Sequence, residues 1–346
     1  MPHIMRQDTS RVSDLDLGLA TYADSVHQLI AGLAEDEMPD VEVDLLWTPD
    51  FVATTQEILD VARVDGGQTV TYGADRLGGT AVAKNIAQSA DSSRVTIVVN
   101  HNVLSTAVDE QTTAHSIFVL AHELTHPLIN RMRADSGVLD DVPFPSETPT
   151  ELARSITRTA TDEYRADRIA SIILGHFASA EQDGERVRLH QGHIWAGVED
   201  YREQLAQVLD SHIHPGWPDL VQSYRECRTS LDALWRQVVT ETDQVFTLLA
   251  HAQACEDASQ TGGPFAGPMM TSNPGASLYL EPAWTQVLTA VHDTSLLPSR
   301  EDFAAADLAV ARFGEVAIKS IWEELGLTFD EYEDRSYYIH VAQPMR

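Results

Sequence analysis

The chemistry-bearing residues stand together at His122-Glu123-Leu124-Thr125-His126. On a helix, positions i and i+4 share a face, so both imidazoles point the same way. They can then bind one Zn2+, while the Glu between them reaches a water on the metal. Zinc lowers the pKa of such a water towards about 7, and Glu123 can take its proton as general base. Chance alone yields this pattern about 0.04 times in a chain of this length and composition, so the motif is suggestive and needs a third ligand to support it.

The segment Asp162-Glu163-Tyr164-Arg165-Ala166-Asp167 supplies one. Glu163 and Asp167 are again an i, i+4 pair. Glu163 completes a His2Glu ligand set, and Asp167, one turn on, can accept the N–H of a ligating histidine and fix its tautomer. The small Ala166 lets two helices approach. Read alone, the two acids would be surface groups offset by Arg165 and Arg168; HExxH upstream turns the balance towards ligation.

The run from Ser116 through the apolar Ile117 to Ala121 into His122–His126, followed by Glu163-Tyr-Arg-Ala-Asp-Arg-Ile-Ala170, resembles the gluzincin metallopeptidases, most closely the ImmA/IrrE type. The resemblance covers roughly residues 90–180. It implies a minimal zincin-like unit, with a small sheet beside the active-site helix and a second ligand helix; with the mostly α-helical pattern that follows, which the resemblance does not explain, the expected fold class is α+β. It also implies an intracellular zinc peptidase acting on a protein or peptide substrate, often a regulatory protein. Two positions depart from the pattern. Thr125 stands where Gly is frequent, which a helix tolerates. Pro127 directly follows the second histidine; proline removes a helical N–H and disfavours α conformation before it, so the helix is expected to kink or end there and displace His126.

A peptidase also needs a group to stabilise the oxyanion. Tyr164, His176, Tyr338 and His340 are candidates, and the sequence does not choose among them. His190 with His193, and His212 with His214, have metal-compatible spacings but no acid or thiol cluster beside them, so they read as ordinary histidines. Trp217, Trp235, Trp284 and Trp322 read as core anchors. Arg154, Arg158, Arg165 and Arg168 either line the rim of a cleft or bridge neighbouring acids.

These groups need elements to carry them. Residues 1–14 read as a flexible tail. A helical pattern follows Ser13, a short strand spans about 41–47, and a helix starts at Asp50 and stops before Asp65-Gly66-Gly67. Residues 68–72 read as a strand, and 94–100 (RVTIVVN) as a stronger one. Helices are expected at about 112–126 and 151–177, the metal-ligand pair. Residues 15–180 form the zincin-like domain and 181–346 the helical one, with helices at 184–210, 217–257, 281–292 and 300–325, a flexible loop near 259–275, and a strand at 337–341.

Composition bounds the rest. The 346 residues carry 53 acidic and 23 basic side chains, a formal net charge of −30. That charge repels phosphate backbones and argues against a nucleic-acid partner. No apolar run is long enough to span a membrane, and the polar start lacks a signal-peptide core, so the expected location is the cytoplasm. Two cysteines make no disulfide framework. The acid excess lies outside the proposed ligand helix, where residues 151–180 carry four charges of each sign. Beside the peptidase reading stand a zincin-scaffold binding protein without catalysis and a zinc hydrolase of a small molecule.

Overall fold

β-Branched residues dominate the segment Arg94–Asn100, and all its interior positions are buried. A strand buried on both faces belongs at the centre of a sheet. In the computed structural model, which describes residues 4–6, 25–30, 32–33, 40–62, 75–76, 79–89, 92–100, 110–137, 148–179, 198–259 and 264–342, this strand does lie inside a four-stranded sheet. The strands are β1 (Ile4–Arg6), β2 (Glu42–Thr48), β5 (Ala83–Ala87) and β6 (Arg94–Asn100), in the order β1-β2-β6-β5. β1 and β6 run parallel to β2; β5 pairs antiparallel with β6, with Asn85 opposite Ile97. Between β2 and β5, the two-residue strands β3 (Asp75–Arg76) and β4 (Gly79–Thr80) pair with each other.

Alternation along the strands gives the sheet two apolar faces. On one, Ile86 and Val98 meet Phe51 of helix α1 (Phe51–Ala62). On the other, Val43, Leu45, Trp47, Val95, Ile97 and Val99 share a core with two long helices, α2 (Glu110–Asp135) and α3 (Pro149–Ser179). α2 contributes Leu120, Ala121, Leu124 and Leu128; α3 contributes Ile169, Ala170, Ile173 and Leu174. Phe303 joins the same core, with the guanidinium of Arg133 5.8 Å and that of Arg165 6.0 Å from its ring centroid.

α3 starts at Pro149, two residues ahead of the expected 151. Thr148, Pro149 and Glu151 make a capping box: the Glu151 carboxylate accepts from the Thr148 N–H at 2.8 Å, and Thr148 Oγ1 accepts from the Glu151 N–H at 3.3 Å. Proline follows the cap, where its missing N–H costs nothing.

The remaining elements are helical. Residues 198–208 lead into a π-helical segment, Leu209–Gly216. Then come α4 (Trp217–Arg225), α5 (Leu231–Ala258), α6 (Ala266–Ser272), α7 (Pro274–Tyr279), α8 (Glu281–His292) and α9 (Arg300–Glu324), and the hairpin of β7 (Leu327–Glu331) and β8 (Tyr337–Val341). The four tryptophans anchor this region as expected, all buried. Trp235 meets Trp322 edge-on at 4.8 Å, Trp284 meets Phe246, and Trp217 Nε1 donates to buried Glu241 at 2.9 Å.

By its contacts the chain forms two units that interleave in sequence. One comprises Met1–Leu139, Arg165–Ala196 and Leu296–Phe303, the other Asp140–Tyr164, Gly197–Ser295 and Ala304–Arg346. α3 thus contributes its second half to the first unit and its first half to the second. In the second unit that first half is tied to α9 and the hairpin. Arg154 bridges Glu315 at 2.8 Å and Arg158 bridges Asp307 at 2.9 Å. Glu331 accepts from the Thr150 hydroxyl and from Lys319 Nζ, and Arg335 bridges Glu151. The arginines therefore bridge acids of α9 at positions 154 and 158.

The fold is α+β and mostly helical, as expected. Among the described residues no helix is long and apolar enough to cross a membrane.

Several local expectations need correction. Residues 4–6, inside the expected tail, form β1, because β2 offers an unpaired edge to them. The expected helix over 217–257 is broken after Arg225: Cys227 takes a positive φ of 59°, and Ser230 caps a new helix by accepting from the Ala233 N–H. Neither cysteine is in a disulfide, Cys227 being exposed and Cys255 buried. Most of the expected loop at 259–275 is helical instead. The Glu256 carboxylate accepts from the N–H groups of Phe265 and Ala266, and Asn273 caps α7 ahead of Pro274. α2 does not end at Pro127 but continues to Asp135. The expected strand at 68–72 lies outside the described residues, as do most of residues 1–14.

Candidate metal centre

α2 and α3 bring the two motifs together. His122, His126 and Glu163 each offer a ligand atom, and these atoms all lie within 4.8 Å of one another. The two Nε2 atoms of His122 and His126 are 3.0 Å apart, with the rings edge to face. Two nitrogens on one tetrahedral zinc, each bonded at 2.0–2.1 Å, would stand about 3.3 Å apart. Pro127 has therefore not displaced His126. The i, i+4 spacing on an unbroken helix fixes the pair.

Asp167 does what its spacing suggested. Its Oδ1 lies 2.7 Å from His122 Nδ1, both groups being buried. A carboxylate there accepts the Nδ1 proton, which leaves the Nε2 lone pair of His122 facing His126. Two imidazole lone pairs so close repel unless a proton or a cation lies between them. The donor set, two imidazoles and a carboxylate with an outer carboxylate on one imidazole, fits a borderline cation such as Zn2+. Burial holds the set in place. Thr125 and Ala166 are fully buried beside the ligands, and Ala121 and Leu124 pack on the core side of α2.

Glu123 is held from the sheet. Asn85 Nδ2, on β5, donates to the Glu123 carbonyl at 3.1 Å and to its carboxylate Oε2. Nothing in the sequence marked Asn85, since its role depends on the register that sets β5 beside α2.

Glu163 has another neighbour that sequence reasoning missed. His251 of α5 points Nε2 at Glu163 Oε2, 3.7 Å away, and its ring stacks on Tyr201 at 5.6 Å. The one available signal was a single histidine in an otherwise apolar helical run, Leu248-Leu249-Ala250-His251-Ala252.

The four oxyanion candidates are placed as follows. Tyr164 is buried, and its hydroxyl donates to Asp257 at 2.6 Å, where His292 also binds. His176 is exposed near the end of α3. Tyr338 and His340 stand on β8: His340 pairs with Asp330 at 2.7 Å, and Tyr338 meets Tyr332 edge to face. Among the described residues no contact joins either of them to Glu163. Of the other histidines, His212 lies 3.7 Å from Glu241 and the His214 side chain packs on Gly275, while His190 and His193 lie outside the described residues.

Comparison of the chain with models of known families, with curated proteins and with solved structures finds no match in any of the three.

Proposed function

We propose that the chain is a zinc-dependent peptidase of the gluzincin kind, with His122, His126 and Glu163 as metal ligands and Glu123 as general base. The observation that carries this reading is the convergence of three ligand atoms within 4.8 Å, with Asp167 fixing the tautomer of one ligand. The motif resemblance to the ImmA/IrrE type supports the peptide-bond specificity.

A zinc ion on this set would supply Lewis acidity, polarising a carbonyl and lowering the pKa of a water. The chain's own groups do the rest. Glu123 takes a proton from the attacking water as the new C–O bond forms. It returns the proton to the amide nitrogen as the C–N bond breaks, so that one water and one peptide give an acid and an amine. Asp167 keeps the His122 Nδ1 proton away from the ligand nitrogen. His251, beside Glu163, is the imidazole best placed to donate an N–H to the oxygen of the scissile carbonyl.

The substrate in this reading is a protein or peptide. The acid excess disfavours nucleic acid, and two cysteines outside any disulfide accord with the cytoplasm. Elemental analysis of the purified chain and turnover of a quenched fluorescent peptide library by Glu123→Gln test it together. The expectation is about one zinc per chain in both proteins, with turnover in the variant lower by about 100-fold or more. Less than half a zinc per chain with no gain on adding zinc, or equal turnover in the two proteins, refutes the reading.

A further inference from the structure

Pro127 has no N–H, so the carbonyl of Glu123, four residues earlier in α2, lacks its regular i+4 helical donor. The donor it does have comes from another element, Asn85 in the middle of β5. The same Nδ2 reaches the Glu123 carboxylate. Turning the amide over would set Oδ1 against two acceptors, which fixes its orientation. One nitrogen, with two protons, therefore ties the Glu123 side chain to the Glu123 backbone.

The strand is built for this. Alternation puts Ala83, Asn85 and Ala87 on the face towards α2, where Ala83 joins the core, while Ile86 packs with Phe51 and Val98 on the other face. Small side chains on either side of Asn85 let the helix come close. Asn85 Oδ1, in contrast, is buried with no partner among the described residues.

We propose that Asn85 is a positioning residue for Glu123, and that Pro127 makes this possible by freeing the carbonyl that anchors the asparagine. This rests on the reading of Glu123 as the general base. A helix interior that kept its N–H at position 127 would occupy that carbonyl and leave Asn85 with only the mobile carboxylate to hold. With Pro127, the amide is anchored on backbone and holds the carboxylate at a fixed offset from it. Repair of the helix and control of the base are then one device.

A double-variant cycle on the full-length, zinc-loaded chain separates this from mere repair of the helix. Pro127→Ala restores an N–H to the Glu123 carbonyl, so an asparagine needed only for that carbonyl becomes dispensable. The proposal expects Asn85→Ala to lower kcat on a quenched fluorescent peptide by about 10- to 100-fold, with and without Pro127→Ala, while KM and zinc content stay unchanged. Asn85→Asp, which keeps the shape but replaces the donor with an acceptor, should do at least as much damage. Crystal structures should show one Glu123 conformer in the parent chain and a displaced or multiple one in Asn85→Ala. Full activity of the double variant Asn85→Ala/Pro127→Ala, or an unmoved single conformer of Glu123 in Asn85→Ala, overturns the proposal. If the parent chain binds zinc but cleaves no peptide, the peptidase reading fails, and the Glu123 conformer alone decides the role of Asn85.

Discussion

Gly314 of α9 faces Thr157 of α3, the helix that carries Glu163. A methyl group built on Gly314 would stand 1.8 Å from Thr157 Oγ1, 2.2 Å from Cγ2 and 2.4 Å from Cβ. Thr157 cannot swing aside: it is fully buried, and its hydroxyl donates to the Ala153 carbonyl at 2.9 Å. Ordinary carbon contacts lie near about 3.5 Å, so Gly314→Ala forces the two helices apart by roughly 1.5 Å. Overpacking of this kind costs about 3 kcal/mol. Replacing glycine by alanine inside a helix gives back about 1 kcal/mol. The net loss is about 2 kcal/mol, a fall in Tm of roughly 3 °C for a chain of this size. The assay is thermal unfolding followed by circular dichroism, on the single variant and on Gly314→Ala combined with Thr157→Gly. Removing the Thr157 side chain deletes all three clashing atoms, so the pair should be coupled by the whole overpacking cost, about 3 kcal/mol, in the favourable direction. Since propensity alone would stabilise Gly314→Ala, the sign is decisive. A variant as stable as the parent chain, or more so, refutes the close crossing of α3 and α9.

Two further outcomes follow from the geometry. Asp167→Asn removes the carboxylate that holds the His122 Nδ1 proton; zinc affinity, measured by competition with a chromophoric chelator, should fall about 10- to 100-fold, with little change in apo-protein stability. At Glu331, burial works to raise the pKa, but the hydrogen bonds from Lys319 and Thr150 outweigh it and hold the carboxyl below its usual value. A depressed carboxylate stabilises the fold above its unfolded pKa of about 4.3, and that contribution is lost as pH falls through the lower folded value. Urea unfolding from pH 6 down to pH 3 should therefore show a smaller acid-side loss of stability in Glu331→Gln than in the parent chain.

What could be read from sequence was local. HExxH and ExxxD each lie within one or two helical turns, so the period of the helix alone fixed which side chains share a face. β6 announced itself by β-branched residues, whereas the capping box of α3 is evident only in its hydrogen bonds. Pro127 shows where local rules stop. They call for a kink or an end there, yet α2 continues to Asp135, and a donor from β5 reaches the carbonyl that the missing N–H would have served. The same holds for β1, which exists by pairing with β2, and for α6, whose first N–H groups are satisfied by Glu256. Asn85 and His251 carry no pattern of their own. Each becomes informative only once another element brings Glu123 or Glu163 beside it.

The anchoring of α3 also bears on the order in which the chain can assemble. Thr150 meets Glu331 across 181 residues, and Glu151 meets Arg335 across 184. During synthesis, the histidine helix and its strands emerge early and can settle among themselves. The start of the glutamate helix acquires these two polar partners only once the hairpin has left the ribosome. Such long closures are slow compared with local helix formation. A nascent chain halted before residue 327 would hold His122, Glu123 and His126, but the helix carrying Glu163 would lack these clamps on its first turn.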